Sequence, residues 1–224
     1  VNILSAHEKE LKTQKIAQVA QRLFQTQDFT AISMAQIARQ SGIAKGTLFN
    51  YFETKENLFM YLLLTGYQKY LQEVIQQWQN FPPSLTWEQL EEFLIKQNRF
   101  LIQEKPELLR LDALRAPLLE IRANREQTLT QRQKLYQINQ KLGQIIAQKV
   151  DLINAQQAGH LFITQSAIIS GLINMMGLDE FNHAKLQVNF EEFKIDLEKE
   201  ANQVWLFYLQ GLHKQLLKVH HHEN

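Results

Sequence analysis

An all-α fold is what this sequence predicts, and three observations predict it. The 224 residues include only eight Gly and four Pro, so turns and breaks punctuate little of the chain. Gln, Leu, Lys and Glu abound, residues that lose little side-chain freedom in a helix. Hardly any stretch alternates apolar and polar residues as a half-buried strand does. With 45% hydrophobic and 10% aromatic residues, the chain can bury a substantial core in one medium or two small domains. Cysteine is absent, which excludes a disulfide framework, a thiol nucleophile and a cysteine metal site. No long apolar run occurs, and the N-terminus lacks a charged-then-apolar signal pattern. A soluble cytoplasmic protein with no membrane partner is therefore expected.

The elements follow in order. Residues 1–7 read as a loose arm, and a first helix spans about 8–27 with Ile16, Val19, Ala20 and Leu23 as its inward stripe and Phe24 beside it. Ser33 is a good N-cap for a second, short helix, and Gln36 three residues on completes a capping box. Met34, Ile37 and Ala38 share one face of that helix. Ser41-Gly42 stops it, because Gly42 can take the positive φ of a sharp helix end. A third helix then spans about 44–52, with Leu48 and Phe52 facing inward.

The outward face of that third helix carries chemistry. Gly46 and Asn50 lie opposite Leu48, with Thr47 and Phe49 on the flanks and Lys45 at the free N-terminus. A mid-helix Gly lowers helix stability, and a missing side chain lets the backbone approach another surface. Asn50 suits base edges; Lys45 and Thr47 suit phosphates or bases, beside a positive helix N-terminus. The alternative is a helical hairpin with a solvated polar face. Net charge cannot decide between them. It is +1 overall, and through residue 60 seven Lys and Arg stand against five Asp and Glu, or +2. Any DNA affinity must come from local placement of cations. Lys12 and Lys15, near the start of the first helix, could reach phosphate or simply solubilise.

Lys15-Ile-Ala-Gln-Val-Ala-Gln-Arg-Leu-Phe24, Ile37-Ala38, Ser41-Gly-Ile-Ala-Lys-Gly-Thr-Leu-Phe49, Tyr51-Phe52 and Lys55-Glu-Asn-Leu58 resemble the N-terminal domain of TetR-family repressors, in uninterrupted order over about residues 12–58. Two positions depart from the family pattern. Asp28 stands where Gly is usual, so that turn must be built differently. Phe49 stands where Tyr is common, which removes a hydroxyl that Tyr51 could partly replace.

Thr54 N-caps a long helix over 55–79, the natural mechanical link between the first residues and the rest. Lys55 at its start opposes the helix dipole, and a phosphate at the same N-terminus would compensate. Phe81-Pro82-Pro83-Ser84 marks a loop. Thr86 and Gln89 form a capping box for a helix over 86–104, Pro106 starts another to 114, and Pro117 breaks the chain. A long polar helix over 118–150 carries Leu129, Tyr136, Leu142 and Ile145 on its inner side. Asn154 with Gln157 caps a helix over 154–177, and Asn189 with Glu192 caps the last, over 189–219. No phosphate-loop glycine pattern occurs. His160, His183 and His213 show no paired carboxylate or ligand at metal spacing, and the terminal run His220-His221-His222 has no rigid support. No catalytic residue, metal or cofactor is expected.

Helices 154–177 and 189–219 are apolar nearly all round, which calls for burial on two sides. One side can face the same domain and the other a second subunit, with Ser166, Ala167, Ser170 and Gly171 permitting close approach; a purely internal helix in a thick bundle is the alternative. The resemblance implies dimerisation through these helices, and Ile169, Leu172, Ile173, Trp205, Tyr208 and Leu212 are the residues on them expected at the seam. It also implies an effector pocket in the middle helices, where aromatics interleave with amides: Trp78, Phe93, Gln97, Phe100, Tyr136, Phe162 and Gln165. Such residues at helical spacing also serve as ordinary core.

The expectation is a three-helix helix-turn-helix DNA-binding head over residues 1–53, followed by a helical-bundle ligand-binding and dimerisation body over 54–224. A homodimer would bind a palindromic double-stranded operator through Ser33, Lys45, Gly46, Thr47, Phe49, Asn50, Tyr51 and Lys55. A mostly apolar small molecule would release it. The rivals are a constitutive DNA-binding dimer without effector, and a helical enzyme or binding module with a non-functional head. Operator binding separates the second rival, and effector-induced release separates the first.

Overall fold

The computed structural model describes residues 6–181 and 191–223. Every regular element among them is helical. They are α1 (Ala6–Thr26), α2 (Met34–Gln40), α3 (Lys45–Phe49), α4 (Lys55–Gln79), α5 (Trp87–Glu104), α6 (Pro106–Leu114), α7 (Glu120–Arg122), α8 (Arg125–Ala147), α9 (Ala155–Phe181) and α10 (Leu197–Glu223). A π-helical turn (Arg115–Leu119) precedes α7, and a single 3-10 turn (Glu191–Phe193) precedes α10. The N-terminal helices form a helix-turn-helix head, and the C-terminal ones form a helical bundle.

The caps read from the sequence hold in three places. Thr86 and Gln89 bond reciprocally ahead of α5, and Asn154 and Gln157 do the same ahead of α9. Thr54 Oγ1 accepts from Asn57 N–H at the start of α4. Ser33 makes only half a capping box: its hydroxyl accepts from Gln36 N–H at 3.1 Å, but the Gln36 side chain donates to Gln27 Oε1 instead. The helix expected over 118–150 is interrupted at Ala123-Asn124. Ala123 has extended backbone there, and Asn124 Oδ1 caps a fresh helix by accepting from Glu126 N–H. Leu129 and Tyr136 are exposed on α8, whereas Leu142, which 100° per residue sets on another side of the helix, is fully buried. Residues 1–5, His183 and the Asn189 cap lie outside the described residues, as do the side chains of the terminal His run.

The described chain divides into two compact units. The first holds the chain up to Gln68 together with Leu114–Leu135. Its core stacks Phe24 and Phe29 edge-on against Phe59, with ring centroids 5.5 and 5.0 Å apart. Ile37, Leu48 and Leu58 are fully buried there. Tyr61 on α4 donates its hydroxyl to Glu10 on α1; burial and that carboxylate push its pKa up to about 12.

The second unit holds Lys69–Ala113 and the chain from Tyr136 onward. Within it, α10 packs on α5 and α9. Trp205, Leu209, Leu161 and Ile169 are buried at the centre. A Cβ on Gly143 of α8 would collide with the Ala155 carbonyl oxygen and lie 3.0 Å from Gly159 N. A glycine is thus required where these two helices cross. Several buried polar groups are paired across helices. Gln165 Nε2 donates to Asn98 Oδ1, and Asn98 Nδ2 donates to Asn202 Oδ1. The hydroxyls of Ser166 and Ser170 both donate to the buried Asp112.

Ile169 is fully enclosed by its own unit. Ile169→Ala should therefore lower unfolding free energy by about 2–5 kcal/mol in denaturant titration, as expected for a truncated core aliphatic.

Candidate nucleic-acid interface

The geometry of the turn between α2 and α3 follows from Gly42. Its φ is +68°, a conformation that L side chains rarely adopt. Ile43 N–H donates to Ala38 O and Gly42 N–H to Arg39 O, the paired bonds of a Schellman end. This ends α2 and sends the chain into α3. The latter is shorter than the expected 44–52. Asn50 and Tyr51 N–H donate to Thr47 and Leu48 oxygens three residues back, which tightens the last turn and closes the helix at Phe49.

Shortening leaves the outward face intact. Leu48 is fully buried and Phe52 nearly so. Lys45, Gly46, Thr47, Phe49 and Asn50 are exposed, and Tyr51 is half-buried. The Lys45 ammonium lies 5.9 Å from the Phe49 ring centre. A Cβ built on Gly46 meets nothing within 4 Å, so no packing inside the molecule demands glycine there. Ser33 is exposed, with its hydroxyl occupied as a helix cap.

Beside α3 lies a cleft of about 390 Å³. Its walls bring Lys12, Lys15, Gln18 and Arg22 of α1 to Thr47 and Tyr51, with Gln40 and Ser41 at the end of α2. Three cations and no carboxylate line it. The cleft therefore favours an anion. The sequence marked Lys12 and Lys15 as able to reach phosphate. Arg22 and Gln18 were missed, although they follow at helical spacing on the same exposed side of α1.

Lys55 sits apart from this group. Its ammonium donates to Phe29 O and Ile32 O, both at 2.7 Å, and lies 4.1 Å from the Phe29 ring centre. Burial lowers its pKa; Glu56 raises it and Arg122 lowers it further. The two carbonyls belong to the turn after α1, where Asp28 replaces the expected glycine. That turn is closed by Ala31 N–H donating to Asp28 O. Lys55 thus compensates its position at a helix N-terminus with carbonyl oxygens of its own chain.

The other expected sites lie in the second unit. Trp78 is fully buried and Phe93 nearly so, their rings edge-on at 5.2 Å, with Phe81 completing the cluster. Gln97 is buried nearby and donates to Gln77 Oε1, while its own Oε1 has no hydrogen-bond partner among the described residues. Phe162 is buried, Phe100 is half-buried under the Lys105 ammonium, and Gln165 is spent on Asn98. Tyr136 does not join them: it is 58% exposed.

Of the residues assigned to a subunit seam, Ile169 and Trp205 are fully buried inside the unit, whereas Leu172, Ile173, Tyr208 and Leu212 are partly exposed. Ser166 and Ser170 face Asp112, which leaves Ala167 and Gly171 on the open side of α9. The apolar residues most exposed on these helices include Ile163 (54%) and Phe207 (61%), neither of which was among the residues assigned to the seam. An open groove of about 720 Å³ runs past Ile163, His160, Tyr208 and Leu212. His213 stacks on Trp87, centroids 5.0 Å apart. Among the described residues no group of His, Asp and Glu could hold a metal ion, and no helix is long and apolar enough to cross a membrane.

Two substitutions separate shape from function at the turn. Gly42→Ala should lower thermal stability, by about 1–2 kcal/mol for an L residue held at positive φ. Gly46→Ala should leave stability unchanged or slightly raised, while weakening DNA binding in a gel shift. For Lys55, removal of the ammonium (Lys55→Met) should lower stability by about 1–3 kcal/mol, since two charge-assisted bonds to carbonyls are lost. The salt dependence of DNA binding should keep its slope in that variant.

The sequence profile of bacterial regulatory proteins of the tetR family matches residues 16–62, and that of the tetracyclin repressor-like C-terminal domain matches residues 67–215. An HTH-type transcriptional regulator of Mycobacterium tuberculosis is 40% identical over 55 residues, a stretch that covers 25% of this chain and 27% of that protein. Among solved structures, the fatty acid degradation regulator FadR of Bacillus halodurans is similar over 87% of this chain and 94% of its own, with a TM-score of 0.52 at 16% identity. FadR of Bacillus subtilis, solved in complex with stearoyl-CoA, is similar over 88% of this chain and 96% of its own, with a TM-score of 0.50 at 17% identity. A TetR transcriptional regulator from Rhodococcus sp. RHA1 is similar over 90% and 98%, with a TM-score of 0.51 at 15% identity. At these identities the structural likeness is one of fold. The two profiles together span both units, and the chain belongs to the TetR family of bacterial regulatory proteins.

Proposed function

We propose that this chain is a ligand-responsive transcriptional repressor that binds a palindromic operator as a dimer. Regulators of this family bind DNA as dimers and are modulated by small-molecule effectors. The observation that carries the reading here is the pairing of the exposed α3 face with the cation-lined cleft beside it. Asn50 and Thr47 supply hydrogen-bonding groups for base edges in the major groove. Lys12, Lys15 and Arg22 supply sequence-independent attraction to phosphates. Lys45 adds a cation at the helix N-terminus.

The dimer reading is supported by the apolar side chains left open on α9 and α10. Ile163, Val204 and Phe207 together with Ala167 and Gly171 make a surface with large side chains beside small ones. An isologous pairing of two copies would bury it and relate the two heads by a dyad, as a palindromic operator requires. The effector reading is supported by the ring cluster of Trp78, Phe81 and Phe93 with the unpaired oxygen of Gln97. Rings with one polar handle suit a mostly apolar molecule. Helix α4 carries both Trp78 and the residues that follow the head, so a ligand displacing its far end would change how two heads are spaced. Successive major grooves on one face recur every ~34–36 Å; a shift of a few ångströms would therefore weaken the two-site complex.

Fluorescence anisotropy with an operator duplex tests the DNA arm. Asn50→Ala should weaken operator binding by about 1–3 kcal/mol and relax preference at one base position. If both Asn50→Ala and Lys45→Ala leave affinity and preference unchanged, α3 does not read DNA. Sedimentation tests the dimer: Phe207→Glu should yield folded monomers, whereas a monomeric unmodified chain at micromolar concentration would refute it. Thermal-shift screening of hydrophobic compounds tests the effector, with long-chain acyl thioesters as one arm. A hit should weaken operator binding by roughly 1–3 kcal/mol, and operator should weaken the hit's binding by the same factor.

A further inference from the structure

The first turn of α8 and the residue Asn124 before it reach back to the backbone that leaves α3. Gln127 Oε1 accepts from Glu53 N–H at 3.1 Å, and Gln127 Nε2 donates to Tyr51 O at 3.4 Å. Asn124 Nδ2 donates to the Glu53 carboxylate at 2.7 Å. The main chain of Asn124 is itself clamped by Asn57, which is buried on α4: Asn124 N–H donates to Asn57 Oδ1 at 3.1 Å and Asn124 O accepts from Asn57 Nδ2 at 2.9 Å. These pairs join positions 67 to 76 residues apart in sequence, all inside the first unit.

Their target matters because the α2–α3 turn orients only the entry to α3. Its N-cap residue, Ala44, has no side chain able to cap. Leu48 and Phe52 seat the helix by burial, which is non-directional and fixes depth better than rotation. Hydrogen bonds are directional, and these act on Tyr51 and Glu53, immediately beyond the exposed Asn50. Asn124 and Gln127 are themselves exposed. Nothing in core packing calls for them.

We propose that Asn124 and Gln127 are positioning residues for DNA recognition: they fix the direction in which the chain leaves α3, and with it the aim of Thr47, Asn50 and Tyr51, without touching DNA. This rests on α3 being the reading element. It assigns a role in recognition to a segment more than seventy residues beyond the helix-turn-helix.

The test uses the full chain and a duplex enriched from a random library by the unmodified protein, with a scrambled duplex of equal length as control. Gln127→Met keeps the side chain's length and removes both of its bonds. It should weaken the enriched duplex about three- to tenfold, the range of one net hydrogen bond. Affinity for the scrambled duplex, the salt slope and the melting temperature should not move, because no phosphate contact and no core group is lost. Asn57→Asp, which sets an oxygen against Asn124 O, should act in the same direction. If it also lowers stability, the exposed Gln127 variant decides the matter. An unchanged ratio of enriched to scrambled affinity in Gln127→Met overturns the proposal, as does an equal loss on both duplexes. A library that enriches no sequence removes the reading of α3 and the proposal with it.

Discussion

Helix α3 has only five residues, Lys45–Phe49, and a helix of that length does not persist alone in water, because nucleating one turn is unfavourable and few bonds follow. Its order must be imported. One turn of α3 turns Leu48 completely inward, a burial that contributes about 1.5–3 kcal/mol. Phe52 lies edge-on to Tyr61 of α4, with centroids 5.6 Å apart. The Schellman end of α2 sets the entry and the Asn124–Gln127 bonds set the exit. Because the element is so short and so firmly seated, its whole outward side is free of structural duty.

The same economy governs the charges of the first unit. Lys55 could have been a surface cation, but its ammonium is held by two carbonyls and an aromatic face, so it joins α4 to the turn after α1. Lys12, Lys15 and Arg22 of α1 instead face Thr47 and Tyr51 across a cleft whose lining holds no carboxylate. A nearly neutral chain can in this way present a locally positive surface.

In the second unit the constraint is different. Helices α9 and α10 carry apolar residues around most of their circumference, yet polar side chains are threaded between them and their neighbours. Each buried amide or hydroxyl needs a partner, and the pairings Gln165–Asn98–Asn202 and Ser166–Asp112–Ser170 supply one at a fixed register. Such pairs disfavour sliding of one helix along another, since a slip would strand the partners in apolar surroundings. They also decide which side of α9 is internal: the serines turn toward Asp112, and Ala167 and Gly171 turn away.

The sequence by itself determined the helical class, the caps at Thr54, Thr86 and Asn154, the turn at Gly42 and the identity of the exposed α3 residues. These depend on interactions within a few residues, so periodicity and cap chemistry suffice to read them. Family resemblance over residues 12–58 carried the rest of the head. What only the tertiary structure decided were the long-range partners. Nothing near Lys55 in sequence announces Phe29 O and Ile32 O, and nothing near Gln127 announces Tyr51 and Glu53. Periodicity could not show that the chain breaks at Ala123-Asn124, because the break is held by Asn57 on another helix. Nor could it choose between the two apolar sides of α9 and α10: a helix apolar all round has no preferred phase, so Ile169 and Trp205 became core, and Ile163 and Phe207 were left open, only when neighbouring helices packed.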